Sequence, residues 1–255
     1  MKKQYIIALF VIFGLIILFF YFKYEKVYTS KEYSPSGKLI GTNEYVSKDN
    51  NPVAHGKFVN YNEKGIKIAE GQFVNGEING ECKYYYGNGK IETVEYKKNS
   101  KITLESTYYN QNGLIRKYVM CNDIGEPKFI IEFDEKGVRQ YDGYATYPVE
   151  QYKIVKNKEY KIETGYVLKR GDVIKYYYLL ANIPNTKRTF KIETEGIDNS
   201  KAKRTIIKKA PTRIIIEEVL TKKGLNRIKA ITQYIFNDKA TPVKNDTVSF
   251  DVNVY

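Results

Sequence analysis

The side chains best placed to do chemistry in this chain are six cations close together: Lys201, Lys203, Arg204, Lys208, Lys209 and Arg213. Such a run can hold anions, at roughly 1 kcal/mol for each Lys or Arg beside an anionic surface. Binding of that kind weakens as salt screens it. The same run also reads as a solvated loop and strand edge, where lysines discourage edge-to-edge pairing. Other reactive residue types are sparse. His55 is the single histidine, and Cys82 and Cys121 are the two cysteines. A zinc site would need an unusual carboxylate-rich ligand set, and there is no phosphate loop or nucleophile elbow. Glu217 and Glu218 are adjacent, so on a strand they point to opposite faces and cannot act together on one bond. The expectation is a binding protein, not an enzyme, with no catalytic residue, metal or cofactor.

The elements that must carry these groups announce themselves through a repeat. Gly37, Gly65, Gly89, Gly113 and Gly137 are spaced by 28, 24, 24 and 24 residues. Each follows an aromatic ring by four positions: Tyr33, Tyr61, Tyr85, Tyr109 and Phe133. A fixed period of this length marks a stacked architecture, not a single globular core. Asn precedes Gly89 and Gly113, and Asn-Gly is a strong hairpin signal because both turn residues can take positive φ. Second turns fall midway, at Asn75-Gly76, Asn99-Ser100 and Asp123-Ile124-Gly125. Two turns and two strands per period predict an antiparallel meander over 27–148. Its ring ladder has two readings: rings that bury one another on one sheet face, or an exposed strip for sugar rings or extended peptide. Cys82 and Cys121 would lie on strands three apart, about 14 Å, beyond the ~7 Å that a disulfide bridges, so both thiols are expected free.

The stretch GIKIAEGQFVNGEINGECKYYYGNGKI, from Gly65 to Ile91, adds a likeness. Its Gly65, Gly71, Asn75-Gly76, Gly80, Tyr84-Tyr85 and Asn88-Gly89 resemble the bacterial variant of the MORN repeat. The resemblance covers roughly residues 30–145. Later units keep the turn glycine and aromatic but carry Glu95 and Val119 where Gly71 stands. It implies extended β-hairpin sheets used for membrane association or protein contacts. Some members of that family are labelled antitoxin components, which gives an antitoxin-like repeat protein as one alternative.

Tyr5 to Phe22 is an uncharged, nearly all apolar run. As a helix its eighteen residues would span ~27 Å, close to the ~30 Å hydrocarbon core. Lys2 and Lys3 precede it, and Tyr21, Phe22 and Tyr24 crowd its far end as interface anchors do. No small-x-small cleavage site follows. The expectation is an uncleaved signal anchor within 1–26, a single membrane pass with the N-terminus cytoplasmic and the bulk of the chain extracytoplasmic.

Charge separates the rest. Residues 1–26 carry a net +3, 27–148 carry zero, and 149–255 carry +10 of the chain's +13. In 149–255, strand candidates run over 160–168, 173–181, 189–195, 205–208, 213–220, 227–236 and 247–255. In the last of these Val248, Phe250, Val252 and Val254 alternate with polar residues. Seven strands suggest an immunoglobulin-like sandwich, without its Cys–Trp–Cys signature; a small β-barrel is the alternative. The whole reads as an all-β chain behind one transmembrane helix. Its expected function is a membrane-anchored binding or scaffold protein whose partner is an envelope protein. The charge-driven alternative is a binder of anionic lipid or envelope polymer; nucleic acid is not an expected partner outside the membrane.

Overall fold

The computed structural model describes residues 26–163, 167–238 and 240–255, whose regular structure is almost entirely strand, in three antiparallel sheets. The expected anchor helix lies outside the described residues, and no helix among them is long and apolar enough to cross a membrane.

The repeats form one long meander. Its strands are β1 (Val27–Tyr33), β2 (Leu39–Lys48), β3 (Asn51–Tyr61), β4 (Lys67–Val74), β5 (Glu77–Ile78) and β6 (Gly80–Tyr85). It continues through β7 (Ile91–Lys97), β8 (Thr103–Tyr109), β9 (Ile115–Cys121), β10 (Pro127–Asp134) and β11 (Gly137–Gly143). Each strand lies beside its neighbours in sequence, with the short β5 hanging on β4.

The turns differ from the Asn-Gly expectation in an instructive way. At Gly65 and Gly89 the glycine takes positive φ, 75° and 79°, while Lys64 and Asn88 before them do not. The Gly65 amide bonds back to the Asn62 carbonyl, and the Asn62 amide to the Ile66 carbonyl, both at 2.9 Å. That is a type I turn closed by a left-handed glycine, not a pair of positive-φ residues. The cause lies next door: register shifts between Asn60 and Tyr61, and between Tyr84 and Tyr85, so each ladder ring sits at a bulge that needs the extra loop residue. Asn75-Gly76 does hold both residues at positive φ, 52° and 85°.

The second half contains β12 (Thr146–Val155), β13 (Lys158–Lys161), β14 (Val173–Leu180), β15 (Thr186–Thr194) and β16 (Arg204–Lys209). It ends with β17 (Arg213–Val219), β18 (Gly224–Phe236) and β19 (Lys244–Val254). A five-stranded sheet, β13-β12-β14-β17-β16, and a three-stranded sheet, β15-β18-β19, share a core of Ile174, Tyr176, Ile216, Ile228 and Val252. Among the described residues neither sheet closes on itself, β19 making only an isolated bridge from Val254 to Leu168, which replaces the barrel alternative with two packed layers. The half has eight strands among the described residues, not seven. The missed one is β12, whose TYPVEQYKIV run carries Pro148 and no clean alternation. The expected division at 148/149 falls inside it. The final alternation does hold, with Val252 and Val254 buried.

A second core ties the halves together. Tyr118, Met120, Phe129 and Ile131 of the meander pack with Leu179, Ile183, Tyr234 and Phe236. Residues opposite one another in an antiparallel pair point to the same side, so the register defines a face. Val59, Glu70, Lys83, Val94, Thr107, Tyr118 and Ile131 form one row from β3 to β10. The second half covers this face at Tyr118 and Ile131 and leaves its earlier members half-buried.

Candidate functional site

The six cations do not assemble into one patch. Arg204 turns inward and holds Glu218 with two hydrogen bonds, Nε to Oε2 and Nη2 to Oε1, both 2.8 Å. The two side chains are 8% and 2% exposed. Thr194 and Tyr176 hydroxyls donate to the same carboxylate at 2.8 and 2.7 Å. Glu218 is thus fully satisfied, as a buried charge must be. Arg213 pairs with Asp123 of the meander and lies 5.5 Å from the Tyr177 ring centre. Lys201 pairs with Asp198 at 3.4 Å. Lys203, Lys208 and Lys209 are exposed and form no salt bridge among the described residues.

The ladder also departs from the simpler reading. Tyr61, Tyr85, Tyr109 and Phe133 each lie two residues beyond a member of the row just described, so all four share its face. They sit on alternate strands, about 9.6 Å apart, and no two of them stack on each other among the described residues. Tyr33 is 58% exposed at the free end, while Phe133 packs into the junction core. Tyr85 donates its hydroxyl to Glu70 and lies under Lys67, 5.5 Å from its ring centre. Burial and the Glu70 carboxylate push the Tyr85 hydroxyl up to about 12. The Glu70 carboxyl is held below the usual range, chiefly by Lys67 at 2.7 Å and by Tyr85.

Beside them lies an open groove of about 320 Å³. Lys57, Val59, Glu70, Gln72, Glu81 and Lys83 line it. Charges of both signs face one another, with Lys83 and Glu81 at 3.0 Å. This is a hydrogen-bonding surface without a nucleophile–base pair. His55 accepts the Asn75 amide at 3.4 Å, and no group of three or more His, Cys, Asp or Glu comes together among the described residues. Cys82 and Cys121 are buried free thiols, both pushed up by burial.

The polar seam at the junction was not foreseen. Tyr118 hydroxyl accepts the Asn182 amide at 2.8 Å and donates to Glu105 at 3.0 Å. Asn182 Nδ2 donates to the same Glu105 oxygen at 3.0 Å and to the Pro211 carbonyl at 2.8 Å. Burial raises the Glu105 carboxyl above its ordinary range.

No family model matches the chain, and no curated protein matches it. Among solved structures, the "Crystal structure of GtfA/B complex bound to UDP and GlcNAc" aligns over 48% of this chain and 24% of that one. Identity is 13% and the TM-score 0.20. The chain spans about a quarter of that protein's length, and a likeness this slight carries no argument.

Proposed function

We propose that this chain is a binding or scaffold protein of the cell envelope, anchored through residues 5–22 and presenting one face of its MORN-like repeat sheet to an extended partner. The immunoglobulin-like half serves as the end-stop of that face. The observation that carries this reading is the single row from Val59 to Ile131, which is covered at Tyr118 and Ile131 and open from Val59 to Thr107. A face already shaped to dock one β module at its far end, and lined elsewhere by half-buried Tyr61, Tyr85 and Tyr109, offers stacking and hydrogen bonds along a strip. The charge-driven alternative loses two of its six residues, because Arg204 and Arg213 are engaged within the protein.

Photo-cross-linking in intact cells tests this. A cross-linker at Lys83 or Val94, on the open face, should yield an adduct that one at Tyr84 or Tyr108, on the opposite face and likewise half-buried, does not. Equal adducts from both faces, or none from the open one, would remove the proposal. External protease should digest the chain in intact cells if the bulk is extracytoplasmic; protection until lysis would reverse the orientation.

A further inference from the structure

Two apolar rows run across β14, β17 and β16 of the five-stranded sheet, one on each side, and both run off its edge. On the core side Tyr176 of β14 lies opposite Ile216 of β17, which lies opposite Ile206 of β16. On the outer side the succession is Tyr177, Ile215, Ile207. Tyr176, Ile215 and Ile216 are buried, yet Ile206 and Ile207 remain 44% and 42% exposed. The rows end in solvent because β16 pairs on one side only; β17 is its sole neighbour among the described residues. Its outer edge therefore presents unpaired N–H and C=O groups, a template for another strand.

The composition of this edge singles it out. β13, at the other edge of the sheet, is short and reads KEYK, a charged edge that resists pairing. In β15 and β19 apolar residues are single and separated by polar ones. Among the described edges of this half, only β16 has two successive apolar residues at its centre. An edge guarded against pairing carries lysine in the middle. Here isoleucines hold the middle, and the unpaired lysines, Lys203, Lys208 and Lys209, stand at the ends.

We infer that β16 is the docking edge for an extended acidic segment of another protein. That segment adds as a sixth strand, with apolar residues beside Ile206 and Ile207 and carboxylates near Lys203, Lys208 and Lys209. Main-chain hydrogen bonds supply affinity and the flanking charges supply selectivity, the usual division in strand addition. A second copy of the chain fits less well, since it would bring the unpaired lysines of both copies together. This edge lies apart from the open face of the repeats, so either surface can fail without the other.

The test uses the full-length chain and a fluorescent octapeptide with two central isoleucines flanked by three glutamates on each side. Anisotropy should show saturable binding, about tenfold weaker for Lys208→Glu/Lys209→Glu. Methylating alternate backbone amides of the peptide leaves its charge but removes strand hydrogen bonds, and should abolish binding without altering the protein. Undiminished binding of the methylated peptide would reduce the interaction to charge and overturn the inference. So would absence of binding, equal affinity of the double variant, or a sedimenting dimer that excludes the peptide, which would assign the edge to a second copy.

Discussion

Arg204 and Glu218 lie opposite one another in the β16–β17 register, and the guanidinium grips both carboxylate oxygens inside the two-sheet core. The pair converts what looks like part of a cationic surface into an internal strut. Removing one partner strands a buried charge, at a cost of about 3–5 kcal/mol. Arg204→Ala and Glu218→Ala should each lose that much in urea unfolding, while Arg204→Met/Glu218→Leu recovers most of it. If Arg204→Ala instead leaves stability intact and only lowers affinity for anionic vesicles, Arg204 is a surface residue after all.

The contrast between Gly71 and Gly65 separates two reasons for a repeat glycine. A Cβ at Gly71 would meet Cys82 Sγ at 2.6 Å and Phe58 Cε1 at 2.8 Å, so the need is space. At Gly65 nothing lies within 4 Å, and the need is its φ of +75°. Gly71→Ala should cost about 1–3 kcal/mol through overpacking, and Gly65→Ala about 1 kcal/mol through backbone strain. Cys82→Ala should relieve part of the first, the Phe58 contact remaining, and leave the second unchanged. Thermal unfolding of the three single variants and two doubles reads this directly; an equal response to Cys82→Ala would sink the distinction.

That contrast also shows what the sequence could disclose. The turn glycines are locally determined, so their spacing revealed the meander order. The loss of glycine at Glu95 follows from register: Glu95 faces Cys82 and Ser106, both small, where Gly71 faces Phe58. The Arg204–Glu218 pair was hidden because its partners are joined only by pairing, fourteen positions apart. A usable signal did exist: Arg204 shares the parity of the core-facing Ile206, and Glu218 that of Ile214 and Ile216. Reading the cations as a run, not as alternating strand positions, concealed it. The junction seam was hidden by its third member. Tyr118 and Glu105 sit on the adjacent strands β9 and β8, thirteen positions apart, but Asn182 comes from the other half, 64 and 77 positions from them.

At high pH the tyrosine hydroxyls should report their burial. Tyr85 and Tyr152 are both pushed up to about 12, Tyr85 first by burial and then by Glu70, Tyr152 first by its bond to Glu150. A hydroxyl raised in the folded state favours its neutral form there. Its stabilising contribution is therefore complete below the unfolded value near 10 and is lost as pH rises toward 12. Absorbance titration of Tyr85→Phe should lack one late-titrating group. Loss of a group titrating near 10 instead would show that the Glu70 contact does not form.

At the junction, Glu105 gives the opposite test of a carboxyl. Because burial raises it, folding above its unfolded value carries a penalty for the charged form. Glu105→Gln keeps an oxygen to accept from Tyr118 and Asn182 while removing that charge. The variant should be more stable at pH 8, with the gain shrinking as pH falls and the wild-type carboxyl protonates. Tyr118→Phe, which strands the Asn182 amide, should cost about 1–3 kcal/mol at either pH. A Glu105→Gln gain that grows on acidification would contradict the buried geometry.

The same junction makes the two halves interdependent. Phe129 and Ile131 of β10 are buried against Tyr234 and Phe236 of β18, so the last repeat has no covered core of its own without the second half. Phe129→Ala should cost about 3–5 kcal/mol, and the loss should appear in signals from both halves. Hydrogen exchange can follow the amides of β9 and β10 separately from those of β14 and β18. Faster exchange in both groups is the expected result, because each supplies one wall of the cluster. Acceleration confined to the repeats would mean that the second half holds its core alone, and the end-stop role given to it would then rest on contact without energetic coupling.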